Sequence, residues 1–575
     1  MRFLLALVLT ASVAAGAHAQ TDRFVTTAAE LGAAVRASEP GDVITMANGT
    51  WEDTPINFDA DGVVGDTITL RAETPGEVIL TGSSNLSIGG DYLKVDGLRF
   101  ENGALPDGRP VIQFRRSSSD LANHSRLTNC TVVDYNPANV RTEYKWVSLY
   151  GRFNRVDHCY FAGKTNEGAL LVVWLVTGGD PPEHRIDRNH FGPRPEFGDN
   201  GAETIRIGTS SRSMQYANVV VERNLFTETN GEIEIISNKS NGNVYRSNTF
   251  RRAQGTLTLR HGNDCLVEGN FFLGEGVSGT GGVRIIGEDH RVVNNYFLGL
   301  RGTGYSAPLS MVQGVPNSPL NRYFQVKRPL VAHNTFVNTD RTFVIGVGNS
   351  SDQSLPPEDI TVVNNAVQTR LSAPIIDVDL EPVGTSEWSG NVFFGQPSSD
   401  FPDGVTFANP ELEEGADGLL RPSATSPLVD AAAAAFAPEA DMDGQTRATA
   451  DVGADEVSAD PRTLGPLDPD DVGPVWRVGV AADDAPVRQA SRLAPTFPNP
   501  FDSTTTVSFA LDAPASVVVR LFDISGREVR RVLNGTYPAG TTEFTLDGAG
   551  LPTGTYLLVM EAEGRRDYRL ITLAR

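Results

Sequence analysis

The sequence predicts an all-β protein: a right-handed parallel β-helix with a short N-terminal capping helix, followed by a small C-terminal β-sandwich domain. Three observations support this fold class. A motif centred on Asn returns about every 29 residues between positions 98 and 391, which is typical of a repeat architecture. The intervening segments are short, β-branched and broken by Gly and Asn. No helical period accompanies the repeat.

The N-terminus has the layout of a secretory signal peptide. It reads MRFLLALVLTASVAAGAHAQ, with one arginine, an apolar run and Ala-His-Ala before Gln20, so we expect residues 1–19 to be removed on export. This run is too short to span a bilayer, and no later stretch reaches about 18 apolar residues. We therefore expect a secreted or cell-surface protein without a membrane span, exported through the periplasm.

The repeat predicts one coil of strands per motif over residues 20–456. The motif has Asn at positions 189, 224, 248, 270, 295, 334, 365 and 391, and Cys130 and Cys159 take the place of Asn in two earlier copies. The amides would form a ladder inside the helix, and the cysteines would be buried free thiols. A β-propeller is the alternative, but spacings of 24, 22 and 25 residues between Asn224 and Asn295 are too short for a blade of about 40 residues.

Three further segments complete the predicted organisation. TAAELGAAVRAS reads as an amphipathic helix that caps the first coil, since the ends of solenoids need caps. Residues 457–492 are rich in Pro, Asp and Ala and are predicted to be a linker. Residues 493–575 resemble the C-terminal sorting domain of type IX secretion cargo, because they contain FPNPF, LFDISGREVRRVL and LPTGTYLLVM. This resemblance implies the type IX secretion machinery as a partner, and an ordinary β-sandwich binding module is the alternative.

The net charge of −23 argues against nucleic acid as a partner, because a duplex binder usually carries a basic surface. Lysine is scarce, with five lysines in the whole chain. If the chemistry needs a lysine as a base, few candidates exist.

The stretch NGEIEIISNKSNG places Glu232 and Glu234 between isoleucines, just before Lys239. Because side chains alternate along a strand, inward Ile233 and Ile235 would place both glutamates on the outer face. Aligning apolar pairs of neighbouring coils predicts an outward column of Arg206, Glu234, Thr258 and Arg284, with Arg260 and His261 beside it.

Two neighbouring outward carboxylates would repel each other unless a cation lies between them, and carboxylate oxygens suit Ca²⁺. A third oxygen would come from Asn200, with Asp199 or Glu203 also within reach. This patch suits β-elimination of a polymer of uronic acids. A divalent cation would acidify the C5 proton of the sugar, Lys239 would remove that proton, and Arg260 would assist the leaving oxygen.

His261 would be a helper or an alternative acid. Arg206 and Arg284 would bind neighbouring substrate carboxylates, and Tyr144 is predicted to line the groove.

The chain resembles polysaccharide lyase family 6, the family of alginate lyases and chondroitinase B. The resemblance lies in NRVDHCYFAGKTNEGALLVVW, NGAETIRIG and NGEIEIISNKS followed by TLTLRHGN. It implies calcium held by Asn200, Glu232 and Glu234, Lys239 as the base and Arg260 as the acid. It also implies that His261 and Arg284 contact the substrate.

Within this family, alginate is the favoured substrate and dermatan sulfate is the alternative. A β-helix glycoside hydrolase would need only paired carboxylates and would leave Lys239 and Arg260 without a role. A non-catalytic polysaccharide-binding adhesin is the remaining interpretation.

Overall fold

The computed structural model describes residues 20–574 except for positions 106–107, 199, 370, 397–401, 416, 434–435, 478–491, 494–495, 497–498, 500, 512–513, 524–526, 539 and 563–564. The predicted signal peptide, residues 1–19, lies outside the described residues, as do residues 478–491 of the predicted linker. The chain divides into two compact units, the first ending at Arg477 and the second beginning at Val478. None of the helices in the described part has the length and apolar character needed to cross a bilayer.

The first unit is a parallel β-helix whose three long sheets run side by side, one strand of each sheet per coil. The first sheet has these strands in spatial order: Asp22–Val25, Val43–Met46, Ile68–Ala72, Leu93–Asp96, Arg126–Thr128, Arg155–Asp157, Arg185–Asp187, Val220–Glu222, Val244–Arg246, Leu266–Glu268, Arg291–Val293, Leu330–Ala332, Thr361–Val363 and Glu387–Ser389. The second sheet has Ala122–Asn123, Asn85–Asp91, Ile112–Gln113, Val147–Leu149, Leu171–Val173, Ile205–Gly208, Glu234–Lys239, Gly255–His261, Thr280–Ile285, Leu309–Val312, Phe343–Val347 and Ile376–Val378, with Pro55–Asp59 paired to Asn85–Asp91. The third sheet has Gly49–Glu52, Val78–Gly82, Leu98–Gly103, Thr131–Val133, Tyr160–Ala162, His190–Phe191, Leu225–Thr227, Thr249–Arg251, Phe271–Leu273, Tyr296–Leu298, Thr335–Val337, Ala366–Gln368, Asn391–Phe394 and Val405–Phe407.

The predicted asparagine ladder is confirmed. From Asn189 to Asn365, the backbone N–H and the side-chain amide of each ladder residue donate to the Oδ1 atom of the next at 2.9–3.0 Å. Cys130 and Cys159 are buried free thiols, and the N–H of Cys159 donates to Asn189. Beside the ladder, stacked phenylalanine rings run through seven coils at centroid distances of 4.4–5.4 Å. The interior is therefore a satisfied polar ladder beside an apolar stack.

The predicted capping helix spans Ala28–Arg36 and begins with a capping box. Thr27 accepts a hydrogen bond from the Glu30 N–H, and the Glu30 carboxylate accepts from the Thr27 N–H. Leu31, Ala34 and Val35 are buried and join the core of the β-helix. These contacts satisfy the exposed helix start and cover the first coil.

The end of the first unit closes around a buried arginine. Arg421, in a hairpin of Leu412–Glu414 and Leu420–Pro422, pairs with Asp443 at 2.5 Å and with Asp455 at 2.7 Å. Asp441, Asp443 and Asp455 are close enough to one another to hold a metal ion. Because the guanidinium already provides a positive charge there, this cluster reads as a structural ion-pair network.

Residues 457–477 contact the β-helix although the sequence assigns them to the linker. Leu467 N–H donates to Thr249 Oγ1 at 2.8 Å, and Trp476 Nε1 donates to the Asn129 carbonyl at 2.8 Å. The short 3₁₀ turns Pro469–Asp471 and Val475–Arg477 lie in this segment. Proline and aspartate here serve turns and side-chain contacts, which a compositional criterion does not separate from a linker.

The second unit is a small pair of antiparallel sheets. One has Arg492–Leu493, Thr504–Leu511 and Gly540–Asp547, and the other has Glu528–Tyr537, Ala515–Asp523, Gly554–Ala562 and Arg565–Leu573. Alternating residues such as Val517, Val519 and Leu521 are buried in its own core. This agrees with the alternation that predicts a small sandwich.

Candidate active site

The candidate site lies on the outer face of the second sheet, over the strands Ile205–Gly208, Glu234–Lys239, Gly255–His261 and Thr280–Ile285. The backbone register aligns Arg206 with Ser237, Ser237 with Thr258, and Thr258 with Arg284. The predicted column is thus correct for Arg206, Thr258 and Arg284 and wrong for Glu234, whose place Ser237 takes. Glu234 instead lies opposite Thr256, beside a register irregularity.

The shift arises because Ile236 and Asn238 occupy the paired inward positions. Ile235 is buried in the same core but falls at the register irregularity between Glu234 and Ile236, and Ile233 lies before the strand. Asn238 is fully buried, and its amide donates to the carbonyls of Ser240 at 3.0 Å and His261 at 2.7 Å. Its Oδ1 atom accepts from Asn243 Nδ2 and from the Tyr245 hydroxyl, each at 2.7 Å. A buried amide with all these partners costs little, so the strand can place a polar residue inward.

The strand therefore starts at Glu234, and Glu232 lies in the bend just before it. Asn200, Glu232, Glu234, Arg260 and Arg284 nevertheless line one cavity of about 610 Å³. Tyr305 and Tyr323 form part of the same wall. The structure thus brings the three predicted metal ligands together with the predicted acid.

Glu234 is held by cations. Its Oε1 atom lies 2.5 Å from Arg284 Nη2 and 3.6 Å from Arg260 Nε, and the Ser237 hydroxyl donates to Oε2 at 2.5 Å. Burial raises the pKa of Glu234, but Arg284, Lys239 and Arg260 outweigh it and lower the pKa below 4.5. This carboxylate stays ionised.

Glu232 has the opposite environment. Burial, followed by the nearby charges of Glu203 and Glu234, raises the pKa of Glu232 to about 9. Glu203 and Glu232 are 2% and 6% exposed, and no described residue donates a hydrogen bond to Glu203 Oε2 or Glu232 Oε1. Glu203, Glu232 and Glu234 form what we call the acidic cluster.

The acidic cluster offers carboxylate oxygens to a divalent cation, although those of its three glutamates do not all lie within 4.8 Å of one another. Two buried carboxylate oxygens lack donors among the described residues, and an unsatisfied buried charge is costly. Carboxylate oxygens together with an amide oxygen from Asn200 are the ligands that Ca²⁺ prefers. Glu232, Glu234 and Asn200 would hold the ion, and Glu203 is a fourth candidate.

Lys239 and Arg206 lie at the edge of the acidic cluster. The Lys239 ammonium is 3.8 Å from Glu203 Oε1, and Arg206 Nη1 is 4.0 Å from the same oxygen. Both side chains keep 16% of their surface exposed, and the Arg206 guanidinium lies 5.5 Å from the Trp174 ring centre. Lys239 is therefore near the carboxylates and keeps a small part of its side chain exposed.

The surroundings of His261 do not favour its predicted role as an alternative acid. It is 1% exposed, and its Nε2 atom lies 3.1 Å from the Ser210 hydroxyl. Burial, together with the charges of Arg260 and Lys239, lowers the pKa of His261 to about 2. The imidazole is neutral at neutral pH and offers little surface to a substrate.

The prediction that Tyr144 contacts the substrate is wrong. Tyr144 is fully buried within the hydrophobic core of the β-helix. The aromatic residues that do reach the cavity are Tyr305 and Tyr323, and the Arg260 guanidinium lies 4.2 Å from the Tyr323 ring centre. The sequence suggests Tyr323, like Tyr144, as a residue that lines the groove, but it does not single out Tyr305, which lies in a 3₁₀ turn outside the repeat.

Residues 25–377 match the family model described as Chondroitinase B, which covers more than half of the chain. The chain belongs to the chondroitinase B family. Residues 495–565 match the FlgD Ig-like domain. No curated protein matches the chain.

Solved structures of polysaccharide lyase family 6 (PL6) agree with this family assignment. A mutant of the PL6 alginate lyase AlyGC is 37% identical, with a TM-score of 0.71 over 79% of this chain and 58% of its own. AlyGC itself is 37% identical, with a TM-score of 0.68 over 78% of this chain and 60% of its own. A mannuronic acid specific family 6 lyase from human gut microbiota is 32% identical, with a TM-score of 0.59 over 65% of this chain and 86% of its own. The chain thus spans less than two thirds of the length of AlyGC.

Proposed function

We propose that this protein is a polysaccharide lyase that cleaves alginate by calcium-assisted β-elimination. The observation that carries the proposal is the placement of an amine and a guanidinium around buried carboxylates. Lys239 is 3.8 Å from Glu203 and Arg260 is 3.6 Å from Glu234. Membership of a lyase family supports the reaction type, and the alginate lyases among its neighbours support the substrate.

Calcium, when bound, would withdraw charge from the substrate carboxylate and so acidify the neighbouring C5 proton. Lys239 accepts that proton, and the electron pair of the C–H bond forms a double bond between C4 and C5. The C4–oxygen bond breaks, and Arg260 gives a proton or a strong hydrogen bond to the departing oxygen. Burial lowers the pKa of Arg260, which favours this donation.

Arg284 and Arg206 have separate supporting roles. Arg284 keeps Glu234 ionised through its 2.5 Å contact. Arg206 stays partly exposed and is suited to bind a carboxylate of a neighbouring sugar.

The test is incubation of the purified protein with alginate, dermatan sulfate or polygalacturonate, with and without EDTA. A lyase raises the ultraviolet absorbance of an unsaturated uronate, and we expect this with alginate and less after EDTA treatment. Reducing ends without absorbance would indicate a hydrolase, and no change would indicate a binding protein. Absorbance with dermatan sulfate alone would favour the alternative that the family model's description suggests.

The proposed location is outside the cell. The apolar N-terminal segment supports export, and the resemblance of residues 493–575 to a sorting domain supports the type IX secretion machinery as its route. Fusion of residues 493–575 to a periplasmic reporter in a host with that machinery should bring the reporter to the cell surface. Retention of the reporter in the periplasm would contradict this route.

A further inference from the structure

Beneath the acidic cluster lies a buried arginine that has no direct carboxylate partner. Arg194 is 2% exposed, and no described carboxylate oxygen lies within 4.0 Å of its guanidinium. A buried guanidinium is stable only where hydrogen bonds and nearby negative charges offset the loss of its hydration. Its surroundings suggest what the charge does.

The Arg194 guanidinium joins two stacked loops. Its Nη1 atom donates to the Glu203 carbonyl at 2.9 Å, and its Nη2 atom donates to the carbonyls of Asn166 at 3.0 Å and Gly168 at 3.1 Å. The Gly168 N–H in turn donates to the Gly201 carbonyl at 2.6 Å. The loop that carries Asn200 and Glu203 is therefore fixed from below by one side chain.

The same residue also packs against the segment that carries Glu232. The Asn230 N–H donates to the backbone carbonyl of Arg194 at 3.0 Å, a bond that does not depend on the side chain. A Cβ atom at Gly231 would lie 2.9 Å from Arg194 Nε and 2.3 Å from the Ala202 carbonyl. The backbone before Glu232 thus packs directly on Arg194, and a larger residue at position 231 would separate them.

We propose that Arg194 is a positioning residue for the metal site: it fixes the loop that carries Asn200 and Glu203, packs against the backbone before Glu232, and supplies a buried positive charge that opposes the mutual repulsion of the Glu203 and Glu232 carboxylates. Glu203 Oε2, Glu232 Oε1 and Arg194 Nε all lack hydrogen-bond partners among the described residues, so this interaction acts through space. The inference rests on the proposed function, because it takes the acidic cluster to bind calcium. It concerns affinity for the ion and not the chemical step.

The test is calorimetric titration of the chelator-stripped protein with CaCl₂. Arg194→Met should raise the calcium Kd tenfold or more, as loss of an outer-shell partner does at other metal sites. Arg194→Lys keeps the charge but cannot bond all three carbonyls, so its calcium Kd should lie between those of the original protein and Arg194→Met. At saturating calcium, the kcat of both variants should stay within about threefold of the original, since Arg194 orients ligands and does not contact the substrate.

The matched control is Arg447→Met. The Arg447 side chain is also buried and donates to the carbonyls of Asp451 and Gly453, far along the chain in the closing segment, and it differs from Arg194 in pairing with Glu456 at 3.2 Å. It should lower the Tm and leave the calcium Kd unchanged. An unchanged Kd in Arg194→Met would overturn the inference, and if that variant does not fold, an unchanged Kd in Arg194→Lys would do so.

Failure of the inference is distinct from failure of the proposed function. If the original protein binds calcium and Arg194→Met binds it equally well, only the inference falls. If the original protein binds no calcium, the metal assignment and the inference fall together, whereas the absorbance assay still decides whether the protein is a lyase.

Discussion

Glu232 and Glu234 have the same side chain two positions apart, yet their surroundings affect the charge in opposite ways. Three cations lower the pKa of Glu234, whereas burial and two neighbouring glutamates raise the pKa of Glu232 to about 9. The charge of Glu234 is thus neutralised by cations of the protein, whereas a charge on Glu232 would need an external cation. This asymmetry is the residue-level reason to expect a bound ion.

The first prediction concerns Glu232 and pH in the calcium-free protein. The folded state keeps a proton on Glu232 up to a pKa of about 9, whereas the unfolded state releases it near the ordinary value of 4.5. Stability from this group is therefore present below pH 4.5 and is lost as the pH rises towards 9. Thermal unfolding at several pH values should show a Tm that falls over this range, with a smaller fall in Glu232→Gln.

Saturating calcium provides the control for that measurement. The ion binds the deprotonated carboxylate, so it should reduce the fall in Tm of the original protein and have less effect on Glu232→Gln. Equal slopes for the two proteins without calcium would contradict the assignment of the raised pKa to Glu232.

At the level of the element, one polar residue sets the register of the site strand. Asn238 points inward and satisfies four polar groups, and this places Lys239 at the end of the strand beside Glu203. The asparagine ladder contributes stability to the coils from Asn189 to Asn391. The two kinds of buried asparagine should therefore differ in their effect on activity.

Asn238→Ala should lower both the Tm and the kcat. It removes the partner of the Tyr245 hydroxyl and of the His261 carbonyl, at about 1–3 kcal/mol for each group left unsatisfied, whereas the Asn243 amide and the Ser240 carbonyl still bond each other. It also frees the strand that carries Lys239. Thermal unfolding and the absorbance assay measure the two effects.

The matched control is Asn248→Ala in the ladder. Asn248 donates to Asn270 and Val221, so its loss should lower the Tm while leaving the kcat largely unchanged. A kcat loss of the same size in both variants would mean that the register at Asn238 has no special role in the site.

The contrast between the ladder asparagines and Asn238 explains how much of the fold the sequence predicts. The ladder motif recurs many times, so its spacing alone predicts the length of each coil and the inward direction of the asparagine side chain. The inward position of Asn238 occurs once and depends on partners from residues 240 to 261. The alternation of Ile233 and Ile235 therefore predicts the burial of Ile235 but not the register irregularity beside it. The prediction for Tyr144 is wrong for a similar reason, because an aromatic residue beside a lysine is equally compatible with a substrate groove and with a buried core.

For the whole molecule, the division at Arg477 and Val478 defines what the proposed activity requires. The first unit holds every residue of the candidate site, and the second has a core of its own. Residues 457–477 belong with the first unit through Thr249, Asn129 and an ion pair of Asp468 with Arg251 at 3.3 Å. Truncation can separate these roles.

A chain ending at Arg477 should keep the kcat and the main unfolding transition of the full protein. A chain ending at Glu456 should have a lower Tm, because it loses the contacts along the third sheet. Differential scanning calorimetry with the absorbance assay compares the two. Equal Tm values for the two chains would show that residues 457–477 add no stability. Loss of activity in the chain that ends at Arg477 would show that the second unit takes part in catalysis.

The central claim is that Lys239 acts as a base beside a bound cation. Its most direct test is the initial rate of absorbance increase on alginate for Lys239→Ala, compared with Lys327→Ala, whose lysine pairs with Glu358 at 3.1 Å outside the site. The account predicts a loss of at least about 10²-fold for Lys239→Ala, the usual contribution of a general base, and a near-original rate for Lys327→Ala. An undiminished rate in Lys239→Ala would contradict it.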